Sequence, residues 1–377
     1  MSQDSLKQRA ASLLENAGIQ INGPAPTDMR VHDDRLYARV FAHGSLGLGE
    51  SYMDGWWDAD DLPGMFTHLL NTQLDMELKT LDTLIAHLKA RFINMQRGDN
   101  AFEVAKTHYD LGNDLFRAML GKRLVYSCGY WAEASNLDDA QVAKLDLICR
   151  KLKLKPGQRV LDIGCGWGEA LKYAAERYGV HGVGITISQE QAEYARELCA
   201  GLPIDIRLQD YRDIDEPFDA IFSIGMFEHV GALNYRTYFE VARRCLRPDG
   251  HDGSGLFLLH SIGTNSSPAR PDPWIEKYIF PNSMIPAAGQ VAEAVQNLFV
   301  VEDWHNFGAD YDRTLTAWRA NFDAAWPQLS AHYDDQFRRM WHFYLSVSTA
   351  VFRSRRNQLW QITLSPHGVP GGYRVPR

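Results

Sequence analysis

The sequence has no Cys-x-x-Cys pair, no excess of basic charge, no long apolar run and no leader-like start, and each absence narrows what it encodes. Its five cysteines, Cys128, Cys149, Cys165, Cys199 and Cys245, are scattered singly. An odd set without metal-ligand spacing gives neither a closed disulfide framework nor a redox motif, and fits a reducing compartment. Lys and Arg number 39 against 47 Asp and Glu, a formal charge of −8. That balance argues against a dedicated nucleic-acid binder, whose affinity comes from clustered cations on phosphates. No apolar stretch approaches the roughly 18 residues that span a bilayer, and Met1-Ser2-Gln3-Asp4 lacks a basic segment followed by an apolar one. The expectation is a soluble, cytosolic protein. Internal repeats and low-complexity tracts are lacking too.

What is present is an ordinary globular composition. The chain has 377 residues, 45% hydrophobic and 23% charged, enough to bury a large core and to divide into two domains. Aromatic residues make up 11%, with 10 Trp. Several gather in Tyr52-Met53-Asp54-Gly55-Trp56-Trp57-Asp58, where large rings either cover a pocket or anchor a core.

The clearest periodicity starts near residue 158. Arg159 to Ile163 reads as a buried strand, bounded by Pro156-Gly157 and a Gly-rich turn. A helix over about Glu169 to Tyr178, a strand over His181 to Ile185 and a helix over Ser188 to Leu198 follow. Ser188 and Gln191 stand at capping-box spacing. Ile204 to Leu208, Ala220 to Ile224 and Leu256 to His260 continue the strands, with a helix over about Asn234 to Cys245 stopped by Pro248-Asp249-Gly250. Strands alternating with helices imply an α/β fold with a parallel sheet covered on both faces. Phe299-Val300-Val301 and Trp360 to Leu364 add two strands, the second alternating as a sheet-edge strand does. Between them Phe337, Trp341, Tyr344 and Leu345 fall at helical spacing, as core residues. Residues 75 to 97 read as a basic amphipathic helix, which either lies on an anionic membrane or packs on its own domain.

Asp162-Ile163-Gly164-Cys165-Gly166-Trp167-Gly168 sits where a strand hands over to a helix, so its glycines let the backbone turn sharply and approach a ligand closely. A dinucleotide site wants an acidic residue at the end of the second strand, yet Gly184-Ile185-Thr186-Ile187-Ser188 stands there. This counts against NAD and FAD and against an oxidoreductase. Gln209-Asp210-Tyr211-Arg212 follows the third strand, offering a carboxylate for an exocyclic amine and an aromatic face. Gly225-Met226-Phe227-Glu228-His229 follows the fourth. Ligands in open α/β sheets bind at the carboxyl ends of strands, so these segments converge on one ligand, read as S-adenosylmethionine. For Asp210 and Thr186 the alternative is loop capping, and for Gln191 the capping box itself. Glu228 and His229 are neighbours, and the sequence leaves open which one faces the pocket.

Several long segments resemble the bacterial cyclopropane-fatty-acyl-phospholipid synthases over nearly the whole chain. They are Gly44-Ser45-Leu46-Gly47-Leu48-Gly49-Glu50-Ser51-Tyr52-Met53-Asp54-Gly55-Trp56-Trp57, His108-Tyr109-Asp110-Leu111-Gly112-Asn113-Asp114-Leu115-Phe116, Tyr126-Ser127-Cys128-Gly129-Tyr130-Trp131, Met226-Phe227-Glu228-His229-Val230, Asp303 to Tyr311 and Gln358-Leu359-Trp360-Gln361. The mycobacterial mycolic-acid cyclopropane synthases share the later motifs. Here about a hundred residues precede the His-Tyr-Asp segment, similar to the N-terminal lipid-handling domain of the phospholipid enzymes. His251 to Gly255 reads as an insertion before the fifth strand.

The resemblance implies a Rossmann-like, class I methyltransferase sheet over residues 96–377 and a smaller, mainly helical N-terminal domain over 1–95. It implies transfer of a methylene group from S-adenosylmethionine to the cis double bond of unsaturated phospholipid acyl chains, giving a cyclopropane ring. A fatty-acyl C-methyltransferase giving a branched or methylene product, and a lipid-binding module that uses the adenosyl ligand only structurally, are the competing readings. An alkene has no proton to lose before attack, so methylation leaves a carbocation, which aromatic faces tolerate, and ring closure needs a base. The resemblance assigns that base to a bound bicarbonate, held at Cys128, Glu228, His260, Ile262 and Tyr311. The Ile262 backbone is expected to help orient the ion, and bicarbonate's own hydroxyl can donate to the Glu228 carboxylate. Without the resemblance, Cys128 reads as a buried apolar thiol, His260 as a satisfied structural histidine and Tyr311 as a ring capping a tunnel. Tyr126, Ser127, Gly164, Gly166, Thr186, Gln191, Tyr211 and Arg212 match cofactor-contacting positions, with Asp210 beside them. No metal is implied. Transient contact with the inner face of the cytoplasmic membrane and a homodimer complete the expectation.

Overall fold

A computed structural model describes residues 3–72, 112–247, 255–266 and 272–377. The helix expected over 75 to 97, the Pro248-Asp249-Gly250 stop and most of the 251–255 insertion lie outside the described residues. The chain falls into two compact units, each discontinuous in sequence. One is drawn from Met1–Ile93, Arg270–Pro281 and Leu315–Asn357, the other from Asn94–Ala269, Asn282–Thr314 and Gln358–Arg377.

The described elements begin with α1 (Gln3–Asn16), β1 (Arg30–Val31), α2 (Arg35–Met53), β2 (Trp57–Asp58) and α3 (Leu62–Asn71). They continue with α4 (Asn113–Leu120), α5 (Leu137–Lys151), β3 (Arg159–Ile163), α6 (Glu169–Tyr178), β4 (His181–Thr186), α7 (Gln189–Leu198), β5 (Ile204–Leu208) and β6 (Ala220–Ile224). Then come α8 (Tyr235–Cys245), β7 (Leu256–Thr264), α9 (Pro273–Tyr278), α10 (Ala288–Val295), β8 (Val300–Asn306), α11 (Asp310–Leu329), α12 (Asp335–Arg353) and β9 (Asn357–Ser365).

The first unit is largely helical among its described residues. Trp57 is fully buried, donating from Nε1 to the Leu48 carbonyl and the Ser51 hydroxyl at 3.1 Å each, while Trp56 carries the Arg35 and Arg39 guanidinia on its ring face. Tyr52 and Trp57 of this segment thus anchor a core, the plainer of the two readings, while Trp56 is only partly buried. In α12, Trp341 and Leu345 are fully buried, as their spacing requires.

The second unit is built on a seven-stranded sheet of order β5-β4-β3-β6-β7-β9-β8, parallel from β5 through β7, with β8 antiparallel to β9. Short apolar runs make its inner strands, which are buried on both faces. One core gathers Leu161, Ile163, Ile221, Phe239 and Phe257, and the other Val160, Leu171, Ala174, Phe222 and Leu258. β9 corrects an expectation: its alternation suggested an edge, yet it lies between β7 and β8, with Gln361 and Thr363 fully buried. Gln361 meets His260 there rather than solvent. The edge is β8, where Val300 and Val301 are exposed.

Candidate active site

The chain turns sharply after β3. Gly164, Gly166 and Gly168 have φ of 85°, 53° and 87°, the left-handed region that glycine enters without a Cβ penalty. A Cβ on Gly164 would stand 2.6 Å from Met226 Cγ, so only glycine permits this approach of the two strand-end loops. The turn feeds α6, whose unsatisfied N–H groups face the same end of the sheet. It forms an open backbone cradle suited to a ligand's polar end.

Around it stand the residues expected to contact a cofactor. Thr186, at the end of β4, donates to Gln191 Oε1 at 3.0 Å, and both are buried. Ser188 caps α7 by accepting from the Gln191 N–H at 3.3 Å. Only half of the expected capping box forms, because the Gln191 side chain turns to Thr186. After β5, both Asp210 oxygens accept from Arg212: Oδ1 from its N–H and Nε at 2.9 Å each, Oδ2 from Nη2 at 2.6 Å. Burial opposes ionisation of Asp210, but these bonds hold its carboxyl below the usual range. The carboxylate is thus oriented by its own turn. Arg212 lies over the Tyr211 ring, and the buried Tyr211 hydroxyl has no hydrogen-bond partner.

Tyr126 and Ser127 lie in an extended segment held by α5 and α11. Tyr126 meets Phe116 edge-on, with ring centroids 5.3 Å apart. Gln141 Nε2 donates to the Ser127 carbonyl and Lys144 Nζ to the Ser127 hydroxyl, both at 2.8 Å. Thr314 ties the next residues, its hydroxyl accepting from Gly129 N–H at 3.1 Å and Trp131 Nε1 at 2.8 Å. Cys128 Sγ lies 3.7 Å from the same oxygen and donates to the Gly129 carbonyl at 3.2 Å. Full burial pushes this thiol well above its ordinary pKa, so it stays protonated and is a poor nucleophile. Tyr311, also buried, is one helical turn before Thr314.

The remaining candidates cluster at the ends of β6 and β7. Of the adjacent pair, Glu228 reaches β7: its Oε1 accepts the Ile262 N–H at 2.6 Å. The Ile262 N–H is therefore occupied by the carboxylate, where it was expected to face an anion. Glu228 Oε2 is buried without a partner, and burial raises the carboxyl pKa to about 7 against the Ile262 hydrogen bond. His260, two residues before Ile262 on β7, takes a 3.3 Å hydrogen bond from Gln361 Nε2 at its Nδ1. Burial drives its pKa well below the ordinary value. A neutral ring accepting at Nδ1 carries its proton on Nε2, and that atom too is buried without a partner.

Contacts join the two clusters. Phe307 packs edge-on to Tyr130, at 5.4 Å, and to His260, at 5.8 Å. The Lys144 ammonium acts electrostatically on Cys128, Asp162 and His260 together. Lys144, Gln141, Thr314 and Gln361 are contributors that the sequence reading missed. A signal existed for two of them: Gln141 and Lys144 share the apolar stripe of α5 with Leu145 and Ile148, where a solvated residue has no place.

A glycine cradle after the first strand of the parallel sheet, with the other strand ends grouped at the carboxyl edge, defines a class I methyltransferase fold. The match to the mycolic acid cyclopropane synthetase family covers residues 96–362. The chain belongs to this cyclopropane synthase family. It is 52% identical to the cyclopropane-fatty-acyl-phospholipid synthase of Escherichia coli K12, over 99% of this chain and 97% of that one. It is 32% identical to a tuberculostearic acid methyltransferase of Mycobacterium tuberculosis, over 92% of this chain and 85% of that one. Among solved structures, the mycolic acid cyclopropane synthase CmaA1 with SAH and CTAB matches 70% of this chain and 98% of its own, at 33% identity and a TM-score of 0.64.

Proposed function

We propose that this protein transfers a methylene group from S-adenosylmethionine to the cis double bond of phospholipid acyl chains, closing a cyclopropane ring, with bicarbonate as the base. The observation that carries the reading is the pair of buried, unpartnered atoms Glu228 Oε2 and His260 Nε2 in the unit that carries the glycine cradle. A lone buried donor and a lone buried acceptor call for a small ligand offering both, as bicarbonate does through its hydroxyl and its charged oxygens. When bound, the adenosyl cofactor supplies an electrophilic methyl group. Gly164 and Gly166 would leave room for its close approach, and Tyr126, Ser127, Thr186, Gln191, Asp210, Tyr211 and Arg212 would surround it.

Glu228 and His260 would hold the base, with Cys128 and Tyr311 beside it. Ile262 acts one step back, by fixing the Glu228 carboxylate. The high carboxyl pKa suits an acceptor that shares a proton with an anion rather than opposing it. The aromatic faces of the unit suit a cationic acyl chain, each worth about 0.5–2 kcal/mol. Drawing its substrate from a bilayer, the enzyme would work as a peripheral, dimeric protein at the inner face of the cytoplasmic membrane. Among the described residues no helix is long and apolar enough to cross it.

The test is to incubate the protein with labelled S-adenosylmethionine and vesicles of mixed unsaturated phospholipids, then take proton NMR of the released acyl chains. High-field ring signals are expected, with a rate that falls in bicarbonate-free buffer and recovers on adding the ion. Glu228→Gln should keep cofactor binding and lose about 10²- to 10⁴-fold in rate, the range for losing a well-placed base system. Terminal =CH2 or branched-methyl signals, distinct from the CH=CH protons of unreacted chains, would support the C-methyltransferase reading instead. A rate indifferent to bicarbonate with carbon dioxide excluded would assign the base to the protein.

A further inference from the structure

Helix α5 carries two lysines with fully buried side chains, seven residues apart on one face, and they are compensated differently. Lys151 Nζ meets Asp303 Oδ2 at 3.1 Å and His305 Nδ1 at 3.2 Å. Lys144 Nζ donates to Ser127 Oγ at 2.8 Å, and among the described residues no carboxylate comes within ion-pair distance of it. A buried ammonium without a counter-ion is costly, and an anionic ligand beside it would offset that cost. Burial lowers the Lys144 pKa to about 7, with Cys128 and then Asp162 acting the other way; Asp162, near the end of β3, is itself buried, has an unpartnered oxygen and is held toward its neutral form by burial. Neither charge is satisfied by the other.

The direction of the Lys144–Ser127 bond says what is missing. An ammonium has donors only, so the Ser127 oxygen accepts and its own hydrogen is left to point elsewhere. A hydroxyl backed by a cation is a strengthened donor. Such a donor, next in sequence to Tyr126, whose ring meets Phe116 at 5.3 Å as Trp167 of the glycine turn does at 5.2 Å, selects a negatively charged acceptor. We infer that Lys144 is a positioning residue that, through the Ser127 hydroxyl and its own charge, makes the site selective for the α-carboxylate at the methionyl end of S-adenosylmethionine. This inference rests on the cofactor reading above and adds which end of the cofactor is recognised by charge, and by which residue. It also gives Lys144 little net weight in the stability of the ligand-free protein, since its hydrogen bond to Ser127 is set against the cost of burying an ammonium.

The experiment compares S-adenosylmethionine with decarboxylated S-adenosylmethionine, which keeps the sulfonium and adenosine and lacks only the carboxylate, by calorimetric titration of the full chain. Wild type should bind the carboxylated ligand at least about tenfold more tightly. Lys144→Met and Lys144→Gln should weaken that ligand by about 10- to 100-fold, the range for a charge-assisted hydrogen bond. Both should leave the decarboxylated ligand within about threefold, and neither should lower the melting temperature of the ligand-free protein. Equal weakening of both ligands, or a wild type indifferent to the carboxylate, would overturn the assignment. So would failure of both variants to fold. If wild type bound neither ligand, the cofactor reading itself would fall, a result distinct from loss of discrimination in a protein that binds both.

Discussion

Replacing Glu228 by Gln should make the ligand-free protein more stable, and increasingly so as the pH rises. The carboxyl is buried, with one oxygen on the Ile262 N–H and the other unpartnered, and burial raises its folded-state pKa to about 7. In an unfolded chain a glutamate titrates near 4.3. A folded value above the unfolded one means that the protonated form favours folding. That contribution is fully present below about pH 4, is lost progressively as pH rises from there through 7, and stays lost above it. At 1.36 kcal/mol per unit, the total is on the order of 3 kcal/mol, of which about 2–3 falls between pH 5 and 8. The amide introduced by Glu228→Gln would keep the Ile262 hydrogen bond through its own oxygen and remain neutral throughout. The stability gap between variant and wild type should therefore widen by this amount across that interval, equivalent to about 5–10 °C in melting temperature for a unit of this size. Thermal melts of both proteins at pH 5, 6, 7 and 8 measure it. The comparison cancels groups that titrate alike in the two chains. A gap that stays constant or shrinks with pH would refute the assignment of the raised pKa to Glu228. The expected gain in stability accompanies a loss of activity, the trade-off of a residue kept for chemistry against folding.

Two further outcomes probe the frame around the site. Asp303→Asn leaves Lys151 buried with no carboxylate and removes the acceptor of the bidentate Arg377 pair. It should cost about 3–5 kcal/mol, read as a lowered denaturation midpoint, and the added change Lys151→Met should recover much of it; a loss under about 1 kcal/mol would show that the pair is not desolvated. Gly164→Ala places a Cβ against Met226 at a φ of 85°. It should weaken S-adenosylmethionine by more than tenfold in titration, and unchanged affinity would mean that the cradle does not touch the cofactor.

How much of this was legible beforehand differs from element to element. The strands from Arg159 to Ile224 and the helices between them lie close to where apolar runs and glycine breaks put them, because each is decided by its own few residues. The glycine turn after β3 was readable for the same reason: a left-handed backbone needs glycine wherever it occurs. The sequence pattern marks β9 as a strand but not its place in the sheet. Alternation reports which residues differ in polarity, whereas its position inside the sheet depends on β8 folding back beside it, and its polar residues are buried because Gln361 has His260 to meet.

The alternating βα order, the glycine cradle and, through motifs spread from Gly44 to Gln361, the kinship of the whole chain are written in the residues alone, since these are properties of local composition and of residues in fixed order. It took the folded chain to show that Ile262 serves Glu228 and that, among the described residues, Glu228 and His260 each keep one buried atom unpartnered and no carboxylate pairs with Lys144. Burial, and hence the charge a side chain will carry, is set by neighbours dozens of residues away in the chain, and no local pattern specifies them.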